Sequence, residues 1–156
     1  MLIIASTRFN TKTWIENESW REKNQWKGCI YGTPTKISEK VMPLATMIII
    51  EMHNNVNMIK GIGLIRNAIM TNKYYKIYSE GNYNRYTYMS QYRIDRKDMT
   101  IEEKEVINKM EILLFTGSRH MKRGQGITAL PEWLLEGNIK FNKFFKTMFL
   151  NRFKKI

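Results

Sequence analysis

The segment 117–126, here called the basic glycine loop, has the residue types and spacing most suggestive of chemistry. Its polar side chains are Arg119, His120, Lys122, Arg123 and Gln125. Its three glycines would let backbone N–H groups approach a phosphate, and the cationic side chains would add charge-assisted donors. The loop lacks the Gly-Lys-Ser/Thr ending of a nucleotide-binding P-loop. We therefore predict phosphate contact here, the alternative being a solvated connector whose glycines only set turns.

Three aromatic residues are candidates for a base-stacking pocket, namely Trp14, Trp26 and Tyr31. Tryptophans recur every six residues through positions 14, 20 and 26, and exposed aromatic rings stack on unpaired bases. Core packing is the alternative, because tryptophan buries a large apolar area. Segment 73–96 also interleaves tyrosines with Lys and Arg, which is typical of a strand-binding face or of half-exposed strands.

The C-terminal segment 138–155 reads as a basic amphipathic helix with a Phe stripe. Lys140 and Lys143 on this helix are predicted to contact nucleic acid, as is Arg66 at the end of a predicted strand. The Phe stripe could dock on the protein's own body, on a membrane or in the groove of a partner.

Catalytic signals are few. The histidines are His53 and His120, and no HxxxH or CxxC pattern offers a metal site. Glu51 and His53 share one face of a predicted strand that Lys60 could oppose, which would allow acid–base chemistry. We expect no enzyme activity, no cofactor and no metal, with a nuclease as a less favoured alternative.

Charge distribution favours an anionic polymer as partner. The net charge is +12, and the last 19 residues hold six Lys or Arg and no acid. Such an excess suits a polyphosphate, although the abundance of Ile, Lys and Asn also fits an A/T-rich coding sequence. The chain has no apolar run of about 20 residues, no leader-like start and one cysteine, Cys29. These features predict an intracellular protein in a reducing compartment, without membrane association.

Hydrophobic patterning predicts strands first and helices later. Strands are expected over 1–9, 28–31, 46–53, 58–67, 73–79 and 85–92. The segments 46–53 and 58–67 should form an antiparallel hairpin around the turn at 54–57. Thr100 and Glu103 form a capping box that opens a helix ending near Gly117, and a short helix follows Pro131. The residues 10–27 read as a polar, Trp-bearing insertion.

The predicted fold class is therefore α+β. We expect a single domain with a small, curled or closed, mostly antiparallel β-barrel over about 1–98. A helical part with the basic glycine loop would follow over about 99–156. Gly61 and Gly63 share one face of their strand, which permits a barrel corner or close approach by another backbone.

The hairpin and its GIG-hydrophobic pattern (Ile59 to Ile65) resemble the central barrel of PUA-like domains, which include the PUA, ASCH, EVE and YTH groups. With Lys122 to Thr128, the chain looks similar to a PUA-like group found in large DNA viruses and some protists. The resemblance covers roughly residues 1–130. It implies RNA binding, or recognition of a modified or flipped base in an aromatic pocket. The sequence has no clear Trp after the second hairpin strand, where a YTH-type cage would be completed.

These observations together predict a non-catalytic nucleic-acid-binding protein. RNA or an unpaired strand is expected as its partner in preference to duplex DNA. The alternative is a structural subunit of a viral or ribonucleoprotein assembly, in which the C-terminal helix docks on other proteins.

Overall fold

The computed structural model describes residues 2–154 and has two β-sheets and four α-helices. The strands are β1 (Leu2–Phe9), β2 (Cys29–Thr33), β3 (Thr46–His53), β4 (Met58–Arg66), β5 (Tyr86–Ser90), β6 (Tyr92–Asp95) and β7 (Thr128–Ala129). The helices are α1 (Thr11–Lys23), α2 (Ile101–Phe115), α3 (Glu132–Leu135) and α4 (Phe141–Arg152). The α+β composition is confirmed.

The prediction of a closed or curled barrel is wrong. Five strands form a mixed sheet in the order β6-β4-β3-β1-β7, while β2 and β5 pair in a separate two-stranded sheet. Among the described residues neither sheet closes, because β6 and β7 lie at opposite edges of the larger one. The pairing is mostly antiparallel, as expected, and the exception is β1 with β3, which run parallel because α1 and the segment after it carry the chain back.

The β3–β4 hairpin is confirmed and forms the centre of the large sheet. Side chains alternate between two apolar layers, which explains why β3 reads as a continuous hydrophobic run. Ile48 and Ile50 face α2 and α4, whereas Met47 and Ile49 face α1 and the β2–β5 sheet. The sheet is therefore covered on both faces.

The helical predictions agree with the structure apart from α1. Thr100 and Glu103 form the expected capping box of α2. The Phe stripe of α4 packs into the molecule's own core, where Phe145 and Phe149 are fully buried. Segment 10–27, expected as an insertion, contains α1 instead. Its capping box between Asn10 and Thr13 starts a polar helix that buries only Trp14 and Asn17.

Segment 73–79 is not a strand. The amides of Ile77 and Tyr78 donate to Asn84 Oδ1, at 3.1 and 2.9 Å, instead of to a neighbouring strand. The predicted strand over 85–92 is divided into β5 and β6, which belong to different sheets. Asn84 is thus the residue that holds this segment as an ordered loop.

Candidate nucleic-acid interface

A cleft of about 310 Å³ lies where β1 ends and α1 begins. Its wall on the other side is the basic glycine loop, which contributes Lys122, Gln125 and two glycines. The volume is at the lower end of the range for small-ligand sites, about 300–1,000 Å³. The two walls of the cleft are more than 100 residues apart in the sequence. For this reason, hydrophobic patterning alone did not predict that β1 and the basic glycine loop lie together.

Arg8 fixes the conformation of the loop. Its guanidinium donates to the carbonyl oxygens of Met121 (3.2 Å), Gly124 (3.2 Å) and Gly126 (2.8 Å). It also donates to the hydroxyls of Ser6 and Thr128, each at 3.0 Å. Burial lowers the pKa of Arg8. Because the usual pKa of arginine is above 12, the side chain nevertheless stays charged at neutral pH.

The glycines of the loop adopt backbone conformations with positive φ, which residues with a side chain rarely take. Gly117, Gly124 and Gly126 have φ of 80°, 117° and 69°. A side chain at Gly126 would also meet the Thr35 hydroxyl at 3.0 Å. Because Arg8 binds the carbonyls of Gly124 and Gly126, the amides that follow them, of Gln125 and Ile127, point away from the guanidinium. Of these two residues Gln125 lines the cleft, where a backbone amide is suited to an anion.

The charge lining the cleft is entirely positive. Arg8 and Lys122 are its charged residues, and no Asp or Glu lines it. The first turn of α1 opens onto the cleft with Asn10 and Thr13 and contains no acidic residue. The positive end of the helix dipole therefore adds to the two cations.

The floor and rim offer neutral polar groups and aromatic rings. Thr7 is 6% exposed, and among residues 2–154 its hydroxyl has no hydrogen-bond partner. Asn54 donates from Nδ2 to the Lys122 carbonyl at 2.8 Å. The half-buried Tyr83 lies edge-on to the buried Tyr78, with ring centroids 6.2 Å apart. The cleft can thus accept a planar, polar group beside an anion.

The three residues expected to form a base-stacking pocket do not meet in one pocket. Tyr31 is 1% exposed and donates to Glu51 Oε2 at 2.7 Å. Trp14 is 6% exposed and packs against Phe9. Trp26 is half-buried in a separate groove, with its Nε1 donating to the Cys29 carbonyl. The tyrosine-rich segment supplies the rings of the cleft instead.

The other predicted contact residues are dispersed. Arg123 and Arg119 are exposed on the basic glycine loop outside the cleft, and His120 accepts from the Lys122 amide at 3.2 Å, which stabilises the turn. Lys140 and Lys143 border a different groove, between α2 and α4. Arg66 lies at the opposite end of the sheet, since it pairs with Thr46 whereas the cleft adjoins the far end of β3.

Sequence reasoning missed Thr7, Arg8, Asn10 and Asn54, all of which line the cleft. One signal was available for the first two. Ser6-Thr7-Arg8 is a polar ending on a strand that begins with Leu and Ile. A charged residue with such neighbours needs a buried partner or a ligand.

A buried ion pair, Glu51 with Arg93, lies between the sheet and α1. Arg93 donates from Nη2 to Oε1 at 2.6 Å and from Nε to Oε2 at 3.0 Å. Burial lowers the pKa of Arg93, but Glu51, Tyr31 and Asp95 together raise it, so the pKa lies above its usual value. The Glu51 oxygens are therefore engaged by Arg93 and Tyr31, and they do not line the cleft.

The glycines of β4 provide room for this ion pair. A Cβ at Gly61 would lie 2.6 Å from Arg93 Nη2, and a Cβ at Gly63 would lie 2.3 Å from the Tyr31 hydroxyl. The close approach inferred from the sequence is thus real, and it is made by side chains and, at Gly61, also by the Ile94 carbonyl, which a Cβ would meet at 2.9 Å. His53 Nε2 is 3.2 Å from the Thr11 hydroxyl. Burial and then Lys60 lower the pKa of His53.

Within residues 2–154, no group of three His, Cys, Asp or Glu side chains is placed to hold a metal ion. No helix in this part of the chain has the length and apolar character needed to cross a bilayer. No family model, curated protein or solved structure matches this chain.

Proposed function

We propose that the protein binds nucleic acid without catalysis and holds one nucleotide of an unpaired strand in the cleft beside the basic glycine loop. The observation that carries this proposal is the lining of the cleft, which combines two cations, no carboxylate and an aromatic rim. A nucleotide has the matching parts, namely an anionic phosphate and a planar polar base.

Each part of the nucleotide has a counterpart in the cleft. The phosphate is placed near Lys122, the loop amides and the first turn of α1. The base lies against Tyr83, and the hydroxyl and amide groups of Thr7, Asn10 and Gln125 meet its edge or the sugar. RNA is the preferred partner in this proposal, because the neutral polar groups of the cleft can pair with a 2′-hydroxyl.

The alternative of a structural subunit is less well supported. It uses the basic C-terminal helix as a docking element, and the Phe stripe of that helix is not available to a partner, because α4 buries Phe141, Phe145 and Phe149 in the protein's own core. Lys140, Lys143 and Lys146 remain exposed and can strengthen attraction to a polyanion.

The proposal is tested by fluorescence anisotropy with labelled single-stranded RNA, single-stranded DNA and duplexes over a salt series. We expect the unpaired RNA to bind most tightly and its affinity to fall as salt rises. Lys122→Ala should weaken binding and reduce the slope of log K against log[salt] by about 0.7, the value for one phosphate contact on a single strand. Lys109→Ala, at an exposed position on α2, is the matched control.

The proposal fails if wild-type protein binds none of these probes at about 50 mM salt, where electrostatic binding is strongest. It also fails if Lys122→Ala and Lys109→Ala weaken binding equally. Gel analysis of the same labelled strands after incubation, with and without divalent metal, detects any cleavage and so distinguishes binding from a nuclease.

A further inference from the structure

Trp133, on α3, is unlike the other tryptophans of this chain. It is 39% exposed, whereas Trp14 is buried and both Trp20 and Trp26 are half-buried. The short helix is anchored by its neighbour Leu134, which is 1% exposed. The core therefore does not need the Trp133 ring, which leaves a large aromatic surface in solvent.

A cation lies over this exposed ring. The Arg119 guanidinium carbon is 5.1 Å from the centroid of Trp133, within the range of a cation–π interaction. Arg119 is itself exposed, and among residues 2–154 it forms no ion pair. An aromatic ring paired with a free Arg combines the two features used to bind unpaired strands, a stacking surface and a charge for the backbone.

The pair is connected to the cleft by a short, ordered stretch of the basic glycine loop. Arg119 and Lys122 are three residues apart, so their Cα atoms are separated by about 11 Å at most. Met121 between them is held at both backbone groups, its amide donating to the Leu114 carbonyl at 2.7 Å and its carbonyl accepting from Arg8. The separation is comparable to three nucleotides at the 3.4 Å spacing of a stacked strand.

We infer that Trp133 and Arg119 are a second contact for the same unpaired strand, stacking a base a few nucleotides from the one in the cleft. The inference rests on the proposed function and defines its substrate as a strand of about four nucleotides or more. Glu132 precedes Trp133 on α3, and Glu136 is the C-cap of this helix. They direct the phosphates to the side of the ring where Arg119 and Lys122 lie.

The experiment compares labelled adenylate RNAs of two and eight nucleotides at low salt. Trp133→Ala should weaken binding of the octamer about tenfold, the scale of one lost stacking contact, and leave the dinucleotide unchanged. Trp133→Phe keeps an aromatic ring and should retain most of the affinity, while Arg119→Ala should reduce the salt dependence for the octamer only. Tyr74→Ala, which removes another exposed aromatic side chain, should change neither.

The outcomes separate this inference from the proposed function. If Trp133→Ala binds the octamer like wild type while Lys122→Ala is weakened, the second contact is refuted and the cleft stands. Equal weakening for both lengths would make Trp133 a support of the cleft and also refute the inference. If the wild type binds neither RNA, the proposed function fails first.

Discussion

Replacing Arg8 by Lys tests whether the basic glycine loop is held in place by one side chain. The substitution keeps the positive charge but removes the planar fork, which at present donates to three carbonyls and two hydroxyls. An ammonium group has three donors that radiate from a single nitrogen. At least two of the five acceptors must therefore lose their protein partner.

The expected cost follows from the number of bonds lost. A hydrogen bond to a charged group contributes about 1.5–3 kcal/mol, and water replaces part of it at a half-buried site. Two lost bonds reduce the stability of the docked loop by about 2–4 kcal/mol. A change of 2 kcal/mol corresponds to about a thirtyfold larger population of the open loop.

Limited proteolysis measures this population directly. The loop contains Arg119, Lys122 and Arg123, so trypsin cleaves it when it opens. We expect Arg8→Lys to be cut in the loop about thirtyfold faster and to bind unpaired RNA at least tenfold more weakly. Arg66→Lys, at an exposed site with a single long hydrogen bond, is the control for the cleavage rate. A cleavage rate within twofold of wild type would refute the positioning role of Arg8.

Three further predictions concern the interior. Gly63→Ala places a Cβ 2.8 Å from Cys29 Sγ and should reduce the free energy of unfolding, measured by urea denaturation, by about 1–3 kcal/mol. Gly81→Ala is the control and should have little effect, because its Cβ meets nothing within 4 Å. Arg93→Met leaves the buried Glu51 carboxylate uncompensated and should cost about 3–5 kcal/mol, most of which a second change, Glu51→Gln, should restore. Burial raises the pKa of Cys29 to about 11, so its thiol is protonated at pH 8. A disulfide reagent should therefore modify the folded protein at least about 100-fold more slowly than the urea-unfolded chain. Comparable rates would contradict this burial.

Local signals in the sequence predicted those elements whose formation depends on nearby residues. The β3–β4 hairpin has two apolar runs around a polar turn, and α2 has a capping box followed by an apolar stripe. The Phe stripe of α4 correctly indicated a buried face. In each of these cases the periodicity and the flanking residues point to the same structure.

Elements that depend on distant partners were not predictable in this way. α1 has almost no apolar face that periodicity could detect. One of its buried residues is Asn17, which is held by hydrogen bonds to the Ile30 carbonyl and the Tyr78 hydroxyl rather than by apolar packing. The parallel pairing of β1 with β3 and the edge pairing with β7 depend on tertiary contacts that periodicity does not encode. The barrel was inferred from a number of strands, whereas closure depends on which edges meet.

The candidate site divides in the same way. Lys122 and Gln125 were found because they lie in a conspicuous loop, but the opposite wall of the cleft comes from the ends of β1 and β3. Tyr31 was a reasonable candidate by residue type and is instead the buried partner of Glu51. Residue type suggested a kind of interaction, whereas the fold determines which side chains lie together in the cleft.

The contact between Arg8 and the loop also has a kinetic consequence. The hydrogen bond from Arg8 to Gly126 spans 118 residues, and β7 joins β1 across a similar separation. Closing so long a segment is entropically costly and slows folding, so these contacts should form after local elements such as the β3–β4 hairpin and α2. Binding competence would then arise in the last phase of folding, and recovery of RNA binding during refolding should lag behind recovery of helical circular dichroism.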